Sequence, residues 1–258
     1  MTDLKKYCGN SKIENVKFDI DFSKSNHEKH FIEKYQSNFF ILNNVKVDTN
    51  TLNILRNRKD KYPVGFNGLP NNSEIGSYRL VLWNENAIDS FSESINKIMP
   101  TNLNKTKIKD QFYYVGDNFK MCAPYYLDKD NYNLLSSTPY IRYMEYMEKS
   151  NAKHAPHFDA PHYGDNYLTL FSWVLYLDDC TDGNFDFIED GFDTNFNNRT
   201  KDLFIDFEKM SNNILLSITP KVGKMIIFPH WLCHQVNEFT SNQTGFRRIM
   251  RGDIAYGY

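Results

Sequence analysis

Residues 168–177 read LTLFSWVLYL, a mainly apolar run that is rich in aromatic side chains. It belongs to a series of short β-type runs with a periodicity of two that begins after Lys109, and Gly, Pro, Asn and Asp separate the runs. The others are QFYYV (111–115), YIRYMEYME (140–148), NFDFI (184–188), NILLSI (213–218), KMIIF (224–228), HQVNEF (234–239) and RRIMRGDIAY (247–256). Many short strands in a row predict a sandwich or barrel.

The first half of the chain alternates strand and helix patterns. These are FFILNNVKV (39–47), TLNILRNRK (51–59), SYRLVLW (77–83) and NAIDSFSESINKIMP (86–100). Apolar residues recur at helical spacing in the second and fourth of them. The first 36 residues are polar and irregular, which predicts an arm or short helix packed on the main body. The predicted fold class is therefore α+β, with helices first and a carboxy-terminal β-sandwich of jelly-roll type.

Composition limits the classes of function. The chain has 258 residues, enough for one large domain or two small ones, and a net charge of −2. This charge provides no basic field for nucleic acid or an anionic membrane. We find no signal peptide and no apolar run of membrane-spanning length, and the four cysteines form no CxxC pair. We therefore expect a soluble, cytoplasmic protein without nucleic-acid or membrane partners, and the abundant Asn and Lys indicate an AT-rich genome.

Five of the seven histidines lie in two clusters. The first reads HAPHFDAPH (154–162), in which His157 and Asp159 are separated by one residue after an extended segment. Residues i and i+2 of a strand point to the same side, so this imidazole and this carboxylate can converge on one ion. A zinc site built from the histidines of this cluster alone is disfavoured, because their spacing is not helical and prolines interrupt the segment.

The second cluster, PKVGKMIIFPHWLCHQV (220–236), offers His230 and His234 as the distant second imidazole. His230 follows Pro229 in a turn, whereas His234 begins the next predicted strand. Two histidines and one carboxylate leave three positions of an octahedron open, the facial arrangement of non-haem Fe(II) oxygenases. A bidentate oxo-acid can take two of these positions and dioxygen the third.

A bidentate oxo-acid with a second carboxylate needs a cation at its far end, and an arginine fork suits that role. The segment GFRRIMRGD (245–253) supplies three candidates. Strand alternation places Arg247 and Arg251 on one face and Arg248 on the other.

In their order and separations these motifs resemble the 2-oxoglutarate/Fe(II)-dependent dioxygenases, in particular the prolyl-4-hydroxylase-like branch. The matching residues are His157-Phe158-Asp159, VLYLDD with Tyr176, the hairpin DGNFDFI, Pro220, Gly223, Phe228, His234 and Val236, and Gly245-Phe246-Arg247. The resemblance covers about residues 37–258. It implies a double-stranded β-helix (jelly-roll) core with amino-terminal helices packed against it, an arm at 1–36, and one dioxygenase domain at 37–258 with its core at 138–258.

The resemblance also implies roles for individual residues. Fe(II) is expected on His157, Asp159 and His234, and the co-substrate 2-oxoglutarate on Arg247. Arg248 is the alternative to Arg247, and His230 the alternative to His234. Tyr146 and Tyr176 match the tyrosines that contact 2-oxoglutarate in the family, and ascorbate is a further expected cofactor.

The implied reaction is hydroxylation of an unactivated C–H bond of a protein side chain, a free amino acid or a small metabolite, with release of succinate and CO₂. Asp159 favours hydroxylation over halogenation, because the family's halogenases replace this carboxylate with a small residue. A catalytically idle jelly-roll binding module and a metal-dependent cupin-like isomerase or hydrolase are the alternatives. The loops at 60–76 and 189–213 are expected to cover the substrate.

Overall fold

The structure is a computed structural model that describes residues 16–65, 75–83, 85–124, 127–135, 140–148, 153–189, 213–240 and 244–258. These residues form a twelve-stranded sheet, a four-stranded sheet and two α-helices. None of the helices among them is long and apolar enough to cross a membrane.

The large sheet collects strands from the whole chain. It comprises β1 (Asn26–Ile32), β2 (Ser37–Asn43), β3 (Tyr62–Gly65), β4 (Ile75–Leu82), β5 (Asn102–Ile108), β6 (Gln111–Gly116), β7 (Phe119–Cys122), β8 (Asn131–Leu134), β9 (Ile141–Met147), β11 (Tyr167–Tyr176), β14 (Met225–Pro229) and β16 (Phe246–Gly257). Its central path runs β1-β2-β14-β11-β16. The far side of β16 pairs with β9 along its first half and with β8 near its end, so two branches leave from this strand. One branch continues to β4 and β3, and the other to β5, β6 and β7.

The small sheet has the order β10-β15-β12-β13. Its strands are β10 (His154–His157), β12 (Phe185–Ile188), β13 (Ile214–Ile218) and β15 (His234–Val236). Phe185 and Phe187 of β12 pack against Phe228 of β14, with ring centroids 5.2 and 5.5 Å apart. The two sheets thus enclose an aromatic core, and the predicted jelly-roll class is confirmed.

Both helices form where the apolar spacing predicts them. Helix α1 (Thr49–Asn57) begins after Asp48, whose carboxylate accepts the Thr51 N–H at 2.8 Å. Helix α2 (Glu85–Ile95) places Phe91 4.4 Å from the Trp173 ring of β11. Successive residues of a strand face opposite sides, so Trp173 lies on the face of the large sheet opposite Val174 and Ser172. Helix α2 covers that face and leaves the other to the small sheet.

The amino-terminal half differs from its predicted organisation. Residues 26–32 form β1, which pairs with β2 along its whole length, where we expected an arm or short helix. Five strands and both α-helices precede the run at 111–115. Part of the predicted loop at 60–76 is strand β3, whereas residues 66–74 lie outside the described residues. The same holds for most of the predicted loop at 189–213, of which 190–212 are outside the description.

Candidate metal centre and its pocket

Strand pairing brings two distant histidines side by side. His157 ends β10, His234 begins β15, and the antiparallel register of these strands places the two residues directly opposite each other. Their ring centroids are 4.3 Å apart. Asp159 follows in the segment after β10, where its N–H donates to the His230 carbonyl at 3.1 Å. This hydrogen bond turns the chain so that the carboxylate approaches both rings.

The candidate ligand atoms of His157, Asp159 and His234 all lie within 4.8 Å of one another. The Asp159 Oδ1 is 3.8 Å from His157 Nε2, and its Oδ2 is 3.8 Å from His234 Nε2. The structure therefore brings together the three residues that the sequence singled out, although 75 residues separate Asp159 from His234.

Both imidazoles are oriented by main-chain carbonyl groups. His157 Nδ1 lies 2.8 Å from the Ala155 carbonyl oxygen, and His234 Nδ1 lies 2.9 Å from that of Leu232. With Nδ1–H donating to these acceptors, each Nε2 presents its lone pair to the cluster. Burial lowers the pKa of His234 to about 3, so this ring is neutral at ordinary pH. A neutral imidazole with its free Nε2 facing a carboxylate is a metal-ligand arrangement.

The Asp159 carboxylate has a partner on each oxygen. Arg251 Nη2 donates to Oδ1 at 3.0 Å, and the Ser172 hydroxyl donates to Oδ2. Burial alone raises the pKa of this carboxyl, but the Arg251 guanidinium and the neighbouring imidazoles hold it well below its usual range. Asp159 is therefore an ionised, oriented carboxylate. Two imidazole nitrogens and one such oxygen are a donor set that suits Fe(II).

These side chains line a pocket of about 420 Å³, a volume that includes the open space at its mouth. Its apolar lining comes from both sheets and consists of Val174, Phe185, Phe228, Val236 and Ile249. Tyr146, Tyr176 and Arg247 line the pocket too. Burial raises the pKa of Tyr176, so its hydroxyl stays protonated and able to donate. The pocket combines an apolar wall with a few convergent polar groups, as ligand sites do.

Arg247 is 1% exposed and faces the pocket. Its Nη1 donates to the Gly183 carbonyl at 2.6 Å and to the Asn237 carbonyl at 3.1 Å, and its guanidinium lies 4.5 Å from the Tyr146 ring centroid. Among the described residues its Nη2 is buried without a hydrogen-bond partner. The side chain is thus fixed by one nitrogen and presents the other, unpaired, to the cavity.

The single glycine of the hairpin DGNFDFI accounts for this arrangement. Gly183 has a φ of +71°, and a Cβ at this position would lie 2.1 Å from Arg247 Nη1. Glycine is therefore required both by the backbone angle and by the close approach of the guanidinium.

Arg248 points away from the pocket. It bonds Asp178 at 3.2 Å and Glu145 at 3.4 Å on the outer face of the large sheet. His230, the alternative to His234, is fully buried, and its Nε2 lies 3.3 Å from Asp253 Oδ1. The geometry therefore places Arg247 and His234 at the site, and Arg248 and His230 outside the ligand cluster.

A polar network that the sequence did not predict lies behind the cluster. Ser172 also lies 3.1 Å from Asp253 Oδ1, and Arg142 lies 3.5 Å from Asp253 Oδ2. His162 and Tyr140 extend the network through a 2.6 Å hydrogen bond. One signal was available: Ser172 and Arg142 are polar residues inside strand runs that are otherwise largely apolar, on the side-chain face that later proves to be the pocket face.

Together, the fold and the site define a double-stranded β-helix protein with a two-histidine, one-carboxylate cluster in its pocket. No protein-family profile and no curated protein matches the chain. Several solved structures are similar at low identity. A prolyl hydroxylase from Trichoplax adhaerens, in complex with a hypoxia inducible factor peptide fragment, is 12% identical over 84% of this chain and 82% of its own, with a TM-score of 0.46.

Two further solved structures are similar at comparably low identity. A prolyl-4-hydroxylase from Pseudomonas putida is 13% identical over 89% of this chain and 91% of its own, with a TM-score of 0.42. The non-heme alpha-ketoglutarate-dependent carbocyclase SnoK from nogalamycin biosynthesis is 8% identical over 85% of this chain and 79% of its own, with a TM-score of 0.44. At these values function has to be argued from the site.

Proposed function

We propose that the protein is an Fe(II)- and 2-oxoglutarate-dependent dioxygenase that hydroxylates an unactivated C–H bond. One observation carries the proposal: His157, Asp159 and His234 converge in a pocket that also holds a buried arginine with an unpaired nitrogen. The two histidines and the aspartate fit the metal, and the arginine fits an anionic co-substrate.

His157, Asp159 and His234 hold the iron. Their two imidazole nitrogens and one carboxylate oxygen occupy one side of the metal and leave ligand positions for small molecules. Arg251 and Ser172 keep the carboxylate oriented through both of its oxygens. When bound, Fe(II) and 2-oxoglutarate supply the oxidising chemistry, in which dioxygen is consumed, succinate and CO₂ are released and one oxygen atom enters the substrate.

Arg247 binds the 5-carboxylate of 2-oxoglutarate. Its Nη2 is the buried donor that lacks a partner among the described residues, and such a donor costs free energy until an acceptor reaches it. Tyr146 lies against the same guanidinium, and Tyr176 lines the same pocket, so their hydroxyl groups are the further contacts to this carboxylate. Held in this way, 2-oxoglutarate reaches from Arg247 toward the metal ligands.

The apolar lining of the pocket keeps water out, and the Asp159 carboxylate bears on the type of reaction. Val174, Phe228 and Ile249 are apolar and exclude water from the space between Arg247 and the metal ligands. The intact Asp159 carboxylate favours hydroxylation. The substrate is a peptide side chain, a free amino acid or a small metabolite.

The test uses the purified chain with Fe(II) and 2-oxoglutarate. Without oxygen, we expect a metal-to-ligand charge-transfer absorption. With oxygen, we expect slow succinate formation even when no substrate is added. Asp159→Ala should lose both signals, whereas His27→Ala, which changes an exposed histidine, should keep them. A wild-type protein that shows neither signal, or activity that does not depend on 2-oxoglutarate, would contradict the proposal.

A further inference from the structure

Three arginines from neighbouring strands lie on the pocket face of the large sheet. Arg251 of β16 is directly opposite Arg142 of β9, and Arg79 of β4 is opposite Met144, two residues further along β9. Residues that face each other across strands, and residues two apart on one strand, share a face, so all three side chains project to the same side as Arg247.

Two of the three guanidinium groups have a carboxylate partner. Arg251 Nη2 lies 3.0 Å from Asp159 Oδ1, and Arg142 Nη2 lies 3.5 Å from Asp253 Oδ2. Both aspartates are buried, and the pKa of Asp253 is also held below its usual range: burial raises it, but the hydrogen bond from His230 and the charge of Arg142 outweigh that effect. In the metal-free protein, the positive charge of each of these two arginines is therefore balanced by one carboxylate.

Arg79 has no such partner among the described residues. Its Nη2 lies 3.4 Å from His154 Nε2, and its Nε is buried without a hydrogen-bond partner. Burial and the nearby guanidinium groups of Arg142 and Arg251 lower its pKa, which is the sign of a cation in an unfavourable place. His154 is a weak partner for this guanidinium, because the 3.4 Å contact is long for a hydrogen bond and comes from an imidazole rather than a carboxylate.

Arg79 is close to the candidate metal centre. His154, which it contacts, lines the pocket, and the His154 ring centroid is 5.8 Å from that of His157. The His154 ring also meets the Tyr146 ring edge-on at 6.1 Å. Arg247 lines the pocket, and Arg79, from a different strand, adjoins it through its contact with His154. If 2-oxoglutarate neutralises the positive charge of Arg247, that of Arg79 remains unbalanced.

We propose that Arg79 binds a carboxylate of the substrate, so that the substrate is a small carboxylic acid of the size of a free amino acid. This inference rests on the proposed dioxygenase function. A planar guanidinium matches a carboxylate in shape and charge, and pairing relieves the cost of a buried cation. The small size follows because 2-oxoglutarate must share the pocket, whose 420 Å³ already includes the open space at its mouth.

The experiment compares acids with matched neutral molecules. The twenty free amino acids and their α-carboxamides are titrated by calorimetry into the full chain with Fe(II) and 2-oxoglutarate under anaerobic conditions. Succinate release is then measured in air with the same panel. We expect at least one acid to bind and to raise succinate release above the background, and its carboxamide to bind at least about 30-fold more weakly, the loss typical of an unpaired buried charge.

Variants at Arg79 test whether this residue causes the preference for the acid over the carboxamide. Arg79→Met should remove the preference for the acid over the carboxamide, and Arg79→Lys, which keeps the positive charge, should retain part of it. The affinity for 2-oxoglutarate should stay unchanged in both Arg79 variants, because that molecule is held at Arg247. Arg58→Met serves as the control, since Arg58 is paired with Asp60 on the surface and its loss should leave the preference intact.

Three results would overturn the proposal: no acid binds, carboxamides bind as tightly as acids, or Arg79→Met keeps the preference. The comparison of acid and carboxamide on the wild-type protein decides the matter even if Arg79→Met fails to fold. Failure of the dioxygenase function is recognised separately, because the charge-transfer absorption and uncoupled succinate formation are then both missing, while the calorimetric comparison can still be read.

Discussion

Arg251 Nη2 donates to Asp159 Oδ1 at 3.0 Å, and 92 residues separate the two along the chain. Both side chains are largely buried, with 17% of the Arg251 side chain and 9% of the Asp159 side chain exposed. Burial disfavours the charged form of each partner, but their mutual attraction lowers the pKa of Asp159 and raises that of Arg251. The pair therefore supplies an ionised carboxylate at a position where a neutral acid would be a poor metal ligand.

Removing the arginine should couple stability to metal binding. In Arg251→Met the Asp159 carboxylate stays buried without its cation, and breaking such a pair costs about 3–5 kcal/mol. The free energy of unfolding of the metal-free protein should fall by this order. A divalent ion can replace the missing positive charge, so Mn(II) should raise the Tm of the variant by more than it raises the Tm of the wild type. Calorimetry with and without Mn(II) measures both effects.

The surface variant Arg58→Met is the control for the loss of any arginine. It should leave the unfolding free energy within about 1 kcal/mol of the wild-type value, because exposed ion pairs contribute little. An equal rise in Tm on adding Mn(II) to wild type and Arg251→Met would show that the arginine does not act through the metal-binding carboxylate.

Removing a ligand should abolish metal binding without unfolding the chain. His234→Ala and Asp159→Ala each delete one donor atom of the cluster. Loss of a group that merely supports a ligand costs about 10–100-fold in metal affinity, so loss of a ligand should cost at least as much. The affinity for Mn(II), measured by titration calorimetry, should fall accordingly, with His27→Ala as the matched control. Unchanged affinity in either variant would remove that residue from the ligand set.

The strand pattern could be predicted where one side of a strand is apolar. In YIRYMEYME the alternation is visible, and Arg142, Met144 and Tyr146 do lie on one face, opposite Arg251, Ile249 and Arg247. Strands β1 (NHEKHFI) and β5 (NLNKTKI) were missed because most of their side chains are exposed or only partly buried, so no apolar alternation exists. These two strands owe their structure to hydrogen bonding with β2 and β6, which local sequence does not encode.

The candidate site also contains residues that the sequence could predict and residues that it could not. His157 and Asp159 could be found from sequence because their spacing of two brings them together locally. Arg79 and His154 are 75 residues apart, on β4 of the large sheet and β10 of the small sheet. They meet only because the two sheets pack against each other. Contacts between sheets depend on how the sheets pack, and no spacing along the chain reports that packing.

The two adjacent arginines should differ in their effect on 2-oxoglutarate. Arg247→Met removes the unpaired nitrogen in the pocket, and the lost charged contact should raise the dissociation constant for 2-oxoglutarate by about 30-fold or more. Arg248→Lys should leave that constant within about threefold, because its side chain bonds Asp178 and Glu145 on the outer face. Fluorescence or calorimetric titration with Mn(II) in place of Fe(II) provides the measurement. The opposite ranking would assign the co-substrate to Arg248.

The glycine under Arg247 should be intolerant of a methyl group. In Gly183→Ala the new Cβ would meet Arg247 Nη1 at 2.1 Å, on a backbone with a φ of +71°. The guanidinium must move, so the affinity for 2-oxoglutarate should fall together with an unfolding free energy lowered by about 1 kcal/mol or more. Gly245→Ala is the matched control, since it has the same φ but its nearest contact, Glu148, is 3.6 Å away. A lower affinity in both variants would point to backbone strain alone.

His162 should make the metal-free protein less stable as the pH falls below about 6.5, the unfolded-state pKa of histidine. Burial and the charge of Arg142 lower its pKa in the folded state, although Asp253 opposes this, and its Nε2 lies 2.6 Å from the Tyr140 hydroxyl. Burial raises the pKa of Tyr140 to about 12, so this hydroxyl stays protonated. The unfolded chain therefore binds a proton that the folded chain rejects, and this residue removes up to about 1.4 kcal/mol of stability per pH unit below that value. Denaturant unfolding between pH 7.5 and 5 should show a shallower slope in His162→Gln than in the wild type, with His27→Gln, at an exposed histidine, as the control. A His162→Gln slope equal to that of the wild type would mean that His162 is protonated in the folded protein.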